Sequence, residues 1–308
     1  MSSEFSNTAE LRMTRHFRSL SSPPFSSLTL DMFVEDVPLS IVPIRGRTRR
    51  NEKFSITLHG DEQSQKAALS VLSSLARNDE DNLVGLTCEA IENIATLLAW
   101  DGCAYYELFS TKDNLLNLSN FTSKRLFRVP FYYLQIVPKG HWEDIGRKVN
   151  IIRSSEVWQI TMPRQLGGKK RYKTTLKNLE RFGSSAPEFW LENMQSGFSS
   201  HFNFGDFVKE TNIYHEKATK IWGWNRRDSG NEYFTEFYSF YSMVTFRWAQ
   251  SIMRDHILNE INTLFSRLKI TSRLNISGLP SPNDYLQLRE ELSEGKKSFK
   301  EVTEVIWK

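Results

Sequence analysis

The sequence predicts an α+β protein: a small antiparallel sheet domain flanked by helices, followed by a mainly helical part. Three observations lead there. Two long apolar patterns of helical period precede and flank a set of short runs with strand character bounded by turn residues. From Gly167 onward the patterns are helical. One of these, residues 232–269, is long enough for a helix of more than about 50 Å at 1.5 Å per residue. The expected division is a poorly ordered arm (1–27), an α+β domain (28–165) and a helical region (166–308).

Taken in order, residues 1–27 are dense in Ser and carry the Pro23 and Pro24 pair, which argues for an arm. Residues 28–34, 39–44 and 54–58 read as strands from their β-branched and aromatic content. Between the last two lies a basic turn with Arg45, Arg47, Arg49 and Arg50. Helices follow at 61–77, with Ala68, Leu69, Leu72 and Leu75 on one face, and at 82–100, with Leu86, Ala90, Ile94 and Leu97 at helical spacing. Gly102 ends the second, as a Gly past the last periodic residue does. Strands are predicted at 103–109, 131–137, 148–153 and 156–162. Helices are predicted at 172–182, 187–194, 204–221 and 232–269, then a short strand at 274–277 and a helix at 283–294. In the long helix, Phe237, Tyr241, Val244, Trp248, Ile252 and Ile257 form an apolar stripe. Arg247, Arg254, Arg267 and Lys269 are expected on the opposite face.

Composition narrows the function classes. With 39% apolar and 25% charged residues the chain can bury a core. Two cysteines, Cys88 and Cys103, exclude a disulfide scaffold and multi-cysteine metal sites and are expected as structural thiols. The apolar runs are read as too short to span a membrane, and Arg12, Arg15, His16 and Arg18 interrupt any leader-like stretch. The expectation is therefore no membrane partner and residence where the chain is made. A formal charge of +4 is mild for a nucleic-acid binder acting alone, but it sums when many copies surround one polyanion. Aromatic residues make up 13%, which suits subunit contacts as well as cores.

Catalytic patterns are largely missing. Gly167, Gly168, Lys169 and Lys170 lack the span and hydroxyl of a phosphate loop, and read as a turn. No two of the six histidines stand three or four residues apart, so no helical metal pair is expected. A metal-dependent nuclease would want a Lys two residues after Glu156, where Trp158 stands. Neither enzyme activity, cofactor nor metal is expected. Basic clusters are the better lead. Lys169, Lys170, Arg171 and Lys173 form one, and Arg226 and Arg227 beside Trp222 and Trp224 another. Such groups neutralise phosphate without reading sequence. The Trp222, Gly223, Trp224 run is read as packing or a subunit contact rather than a base-stacking platform.

An apolar helix from Gly85 ends at Gly102 and leads into Ala104, Tyr105 and Glu107, similar to the G-x-A-Y-x-E strand of tailed-bacteriophage portal proteins. The run from Leu134 to Pro138 is similar to their "leucine, polar, aliphatic, Pro" strand end. Val149 to Ile152 and Ser155 to Ile160 resemble the paired strands that precede the helical part. Thr235 through Arg254 to Ile261 and Asn262 resembles the long portal helix. The match covers roughly residues 60–270, and its weight lies in the shared order. The resemblance implies a homo-oligomeric ring, commonly a dodecamer, at one capsid vertex. Double-stranded DNA passes through its channel, and terminase, capsid and head–tail connector proteins dock on it. The location implied is the virion, and the host cytoplasm during assembly. Lys169, Lys170, Arg171, Arg226 and Arg227 are the residues expected to meet DNA or a docking partner. The rival reading is a monomeric or dimeric accessory protein that binds nucleic acid through its basic turns; a nuclease whose site only the fold would assemble is the third.

Overall fold

Two capped helices frame the molecule. The computed structural model describes residues 11–15, 27–42, 54–76, 82–110, 116–180, 204–225 and 235–306. Asp61 accepts the Ser64 amide to start α2 (Glu62–Leu75), and Asn82 accepts that of Gly85 to start α3 (Leu83–Asp101). Each oxygen satisfies an N–H that the first helical turn leaves open. By length and composition α3 could cross a membrane, with a mean hydropathy of 1.3, contrary to the expectation that no run is long enough. Ala90, Ile91, Ile94, Ala95 and Leu98 on it are fully buried inside the protein.

After Gly102 the chain reverses into β2 (Cys103–Ser110), the centre of an antiparallel sheet ordered β3–β2–β7 with β3 (Leu116–Asn120) and β7 (Val157–Thr161). A second antiparallel sheet is ordered β4–β5–β6, from β4 (Leu126–Val129), β5 (Tyr132–Ile136) and β6 (Val149–Arg153). A short helix α4 (Trp142–Ile145) lies in the β5–β6 connection. β1 (Ser55–His59) pairs with β8 (Arg273–Ser277) far along the chain. The α+β class is as predicted, and β3 and β4 are strands that the sequence reading did not place.

The strands expected at 28–34 and 39–44 are overturned where described. Residues 28–36 form α1 (Leu28–Asp36), capped by the Ser27 hydroxyl, and a turn follows to residue 40. Phe33, Val34, Val37 and Ile41 are buried at steps of one, three and four, so tertiary burial selects the helix over β-branched propensity. Residues 43–50, with the arginines of the basic turn, lie outside the described residues, as does the helix expected at 187–194.

The later part contains α5 (Gly168–Glu180), α6 (Phe204–Thr219), α7 (Glu236–Arg267), α8 (Pro282–Ser293) and α9 (Phe299–Ile306). The 32 residues of α7 span about 48 Å. Of the cations expected on its solvated face, Arg267 and Lys269 are exposed, whereas Arg247 is half-buried and Arg254 is buried. Residues 249–254 are buried all round, Arg254 donates to the Pro280 carbonyl at 2.8 Å and to Asp255 at 3.0 Å, and Arg267 donates to the carbonyls of Val157, at 2.9 Å, and Ser155. These cations pin α7 to the sheets and the turn before α8.

The main core runs through α1, α2, α3, β2, β7, α5 and α7, so apolar contact is continuous across residue 165. Phe33 sits edge-on to Trp222 and Trp224, with ring centroids 5.7 and 5.1 Å away. Trp224 Nε1 donates to Asp36 at 2.8 Å and Trp222 is fully buried, so both tryptophans pack in the interior. Gly223 between them has φ 65°, and a Cβ there would lie 2.5 Å from Thr245 Cβ. A second cluster, including Met13, Tyr105, Phe121, Tyr133 and Ile152, joins the two three-stranded sheets.

Candidate functional site

The sheet β4–β5–β6 is inverted relative to the usual rule for a half-buried sheet, in which apolar residues face in and polar ones out. Its register aligns Phe127 with Leu134 and Ile151, Val129 with Tyr132, and Ile136 with Val149. Strand residues two apart share a face, so these seven apolar side chains lie together. Phe127 is 53% exposed, Ile151 52% and Ile136 43%. The opposite face carries Gln135, Asn150, Tyr133 and Ile152, all buried. In the two-residue connection of β4 to β5, Phe131 takes φ 67° and is 82% exposed. A bulky residue in that left-handed region is strained, and a Gly would adopt it freely. The turn thus carries an exposed aromatic at a position where the backbone favours glycine.

Arg125, Arg147, Lys148 and Arg153 are exposed in or beside its strands, and Arg128, the register partner of Tyr133, is exposed on the opposite face. Arg128 lies over the Tyr133 ring at 5.8 Å and Lys148 over Trp142 at 4.8 Å, which fixes two of the charges at the sheet's margins. The acidic Glu143 is also exposed there.

Of the residues predicted to meet DNA, Lys169, Lys170 and Arg171 lie in the first turn of α5. Lys170 and Arg171 are exposed, with Lys173 and Lys177 farther along the helix. Lys169 turns inward. Its Nζ donates to the Tyr105 hydroxyl at 3.1 Å. Burial works to lower its pKa, but the bond to Tyr105 and the neighbouring Cys103 and Tyr105 groups together outweigh it, and the ammonium sits above its ordinary value; burial raises the Tyr105 hydroxyl. Lys169 is thus committed to the interior. Arg226 and Arg227 lie outside the described residues.

The inner face of the same sheet holds an arrangement that sequence reasoning missed. Residues 11–15, part of the expected arm, are docked between the sheets. The peptide N–H groups of Arg12 and Met13 donate to the Glu107 carboxylate at 3.1 and 3.0 Å. The Arg12 guanidinium reaches Glu156 at 3.0 and 3.2 Å. Thr14 N–H donates to Gln135 Oε1 at 2.8 Å, Gln135 Nε2 returns a bond to the Thr14 carbonyl at 3.2 Å, and Asn150 Nδ2 donates to Thr14 Oγ1 at 3.0 Å. Both carboxylates are almost fully buried. Burial pushes the Glu107 carboxyl up, against the bonds from Met13 and Arg12. The two glutamates are 49 positions apart, so no local spacing announces them. An Arg held between two carboxylates is a structural clamp, and among the described residues no group of three His, Cys, Asp or Glu side chains could hold a metal ion. Cys103 is buried, as expected of a structural thiol, and Cys88 is half-buried.

No protein-family model matches the chain, and no curated protein matches it.

Proposed function

We propose that this chain is a portal subunit of tailed-phage type. It would close into a homo-oligomeric ring at a capsid vertex and conduct double-stranded DNA during packaging and ejection. The observation that carries the reading is the uncovered apolar face of β4–β5–β6. Exposed apolar patches of this kind, rimmed by polar groups, mark protein contacts, and a ring of heterologous contacts covers one such face per subunit. Aliphatic side chains form most of the face, and these bury against protein rather than stack on bases. The ordered resemblance over residues 60–270 supplies the portal identity. Conduction asks for few, basic, sequence-indifferent contacts, and Lys170, Arg171, Lys173 and Lys177 offer a solvated row for them, with Arg226 and Arg227 as further candidates. Terminase, capsid and head–tail connector proteins would dock on the ring. The chain would have no active site of its own.

The test is the mass of the full chain in solution, by light scattering or mass photometry, with negative-stain images of the largest species. A closed ring of many copies supports the proposal. A monomer that persists at high concentration and with the capsid scaffold supplied overturns it.

A second reading has one observation in its favour. Phe127, Phe131 and Tyr132 are exposed, and Arg153 pairs with Tyr132 on the same face. Aromatics interleaved with arginine form stacking platforms for single strands, which would suit a nucleic-acid-binding accessory protein. Salt-sensitive binding of free DNA by the isolated chain, lost on Phe131→Ala, would favour it.

A further inference from the structure

The site that holds residues 11–15 reads a peptide. Arg12 is recognised through its guanidinium by Glu156 at 3.0 Å and through its backbone N–H by Glu107. Met13 is 5% exposed and joins Tyr105, Phe121, Tyr133 and Ile152 in one apolar cluster. Thr14 is held at its N–H, carbonyl and hydroxyl by Gln135 and Asn150, and Thr122 N–H donates to the Thr14 carbonyl at 3.3 Å. Arg15 Nε donates to Ser119 Oγ at 2.8 Å. Charge-assisted bonds, an apolar anchor and paired amides in four successive residues are the elements of extended-peptide recognition. Among the described residues, Arg12 is the cation that ion-pairs with either buried carboxylate.

We propose that this is a docking site for the N-terminal segment of a second copy of the chain, so that neighbouring subunits exchange residues 11–15. The inference rests on the self-association proposed above. Every contact just named is available equally to a segment from the same chain or from another, which is the condition for low-cost exchange of an identical element. Residues 16–26 connect the segment to Ser27, and eleven residues can span at most about 40 Å. A neighbouring copy whose Ser27 lies within that distance of the site can seat its own segment there. Tethering at that range gives effective concentrations on the order of millimolar. Each subunit gives one segment and receives one, so buried Glu107 and Glu156 keep their cation, and the contact becomes hard to break one side at a time.

The experiment uses two full-length single variants, Arg15→Cys and Ser119→Cys, each in a Cys88→Ser background. Arg15 is exposed, and Ser119→Cys changes one atom. The two proteins are assembled together, treated with a short bifunctional thiol cross-linker, and run on a denaturing gel. Exchange gives a two-chain product from the mixture and none from either variant alone. The double variant Arg15→Cys with Ser119→Cys in one chain is the second arm. If it closes within one chain, shown by mass spectrometry of the linked peptides, while the mixture gives no two-chain product, the exchange is overturned. Absence of any product in both arms overturns it as well, because the segment is then not at the site. The mass of the same samples before cross-linking separates the two ideas. A ring without exchanged product leaves the ring standing alone, and an exchanged dimer without a ring does the reverse.

Discussion

Replacing Phe127, Ile136 and Ile151 by Thr should weaken self-association by about a hundredfold while leaving the single chain folded. The three positions lie on the outer face of β4–β5–β6 at 53, 43 and 52% exposure. Full burial of such a side chain is worth about 1.5–3 kcal/mol, so a neighbour that covers the remaining half gains about 1 kcal/mol at each. Three losses amount to about 3 kcal/mol, or about a hundredfold in the dissociation constant of one contact. In the isolated chain about half of each side chain is already out of water, so Thr also costs up to about 1 kcal/mol per position there, and the unfolding free energy should fall by about 1–3 kcal/mol in total, eased by the β-branch that suits a strand. Mass photometry across a dilution series reads the first quantity and denaturant unfolding the second. Assembly unchanged in the triple variant would refute the assignment of this face. A triple variant that no longer folds would show that the side chains work mainly within the monomer.

Four further outcomes follow from the same geometry. Phe131→Gly should weaken assembly, while its monomer stays as stable or gains up to about 1 kcal/mol, because relief of the left-handed backbone, about 1–2 kcal/mol, is partly offset by glycine's added chain entropy; urea titration beside mass photometry reads both signs. Gly223→Ala combines φ 65° with a Cβ 2.5 Å from Thr245 and should cost about 2–4 kcal/mol in chemical denaturation; a loss below about 1 kcal/mol would mean that the turn yields. Glu107 has its folded pKa raised above 4.5 chiefly by burial, so its stabilising contribution is full below that value and is lost as pH rises through the folded one. The Tm difference between wild type and Glu107→Gln should therefore move in favour of wild type as pH falls from neutral, and a flat or opposite trend would show that the Arg12 and Met13 bonds outweigh burial. Lys170→Ala with Arg171→Ala should leave ring mass unchanged and reduce DNA retention, as should Arg226→Ala with Arg227→Ala; loss of the ring would make those residues interface groups.

The elements legible in the sequence are those in which local signals agree. α2 and α3 carry an apolar period of helical spacing, and both begin within one residue of the predicted start, where Asp61 and Asn82 cap them. α1 was hidden because Leu28, Leu30, Phe33 and Val34 suit a strand until Phe33 meets Trp222 and Trp224, nearly 190 residues away. β3 is short, and although Leu116 and Leu118 alternate with Asn117 and Ser119, it carries none of the β-branched or aromatic residues that mark a strand. Lys169 looked like its neighbours Lys170 and Arg171 because a charge run conceals which member has a tyrosine hydroxyl beneath it. The docked segment was read as arm because its surroundings are rich in Ser, while the groups that hold it come from Glu107, Gln135, Asn150 and Glu156, dispersed over 49 residues.

The inverted sheet and the docked segment explain each other. The alternation in β5 and β6 is plain in the sequence, but parity alone would turn Ile136, Val149 and Ile151 inward. A slip of one residue exchanges the two faces of a strand, so something must make the opposite choice stable. Five side-chain hydrogen bonds link Thr14, Gln135, Asn150 and the Thr122 carbonyl. At about 0.5–1.5 kcal/mol each they are worth roughly 3–7 kcal/mol. Leaving three or four apolar side chains half in water forfeits about 3–4 kcal/mol. In the isolated chain the two nearly balance, with the register held by the segment. A neighbour that covers the apolar face recovers the forfeited part and tips the balance decisively. Removing the segment's anchor by Arg12→Ala should therefore do more than free an arm. It should loosen the register of β5 and with it the assembly surface on the far side, seen as faster amide exchange across β4–β5–β6 and as weaker association in the same variant. An Arg12→Ala protein that associates normally would break this link, and would leave the apolar face and the peptide site as independent features of one sheet.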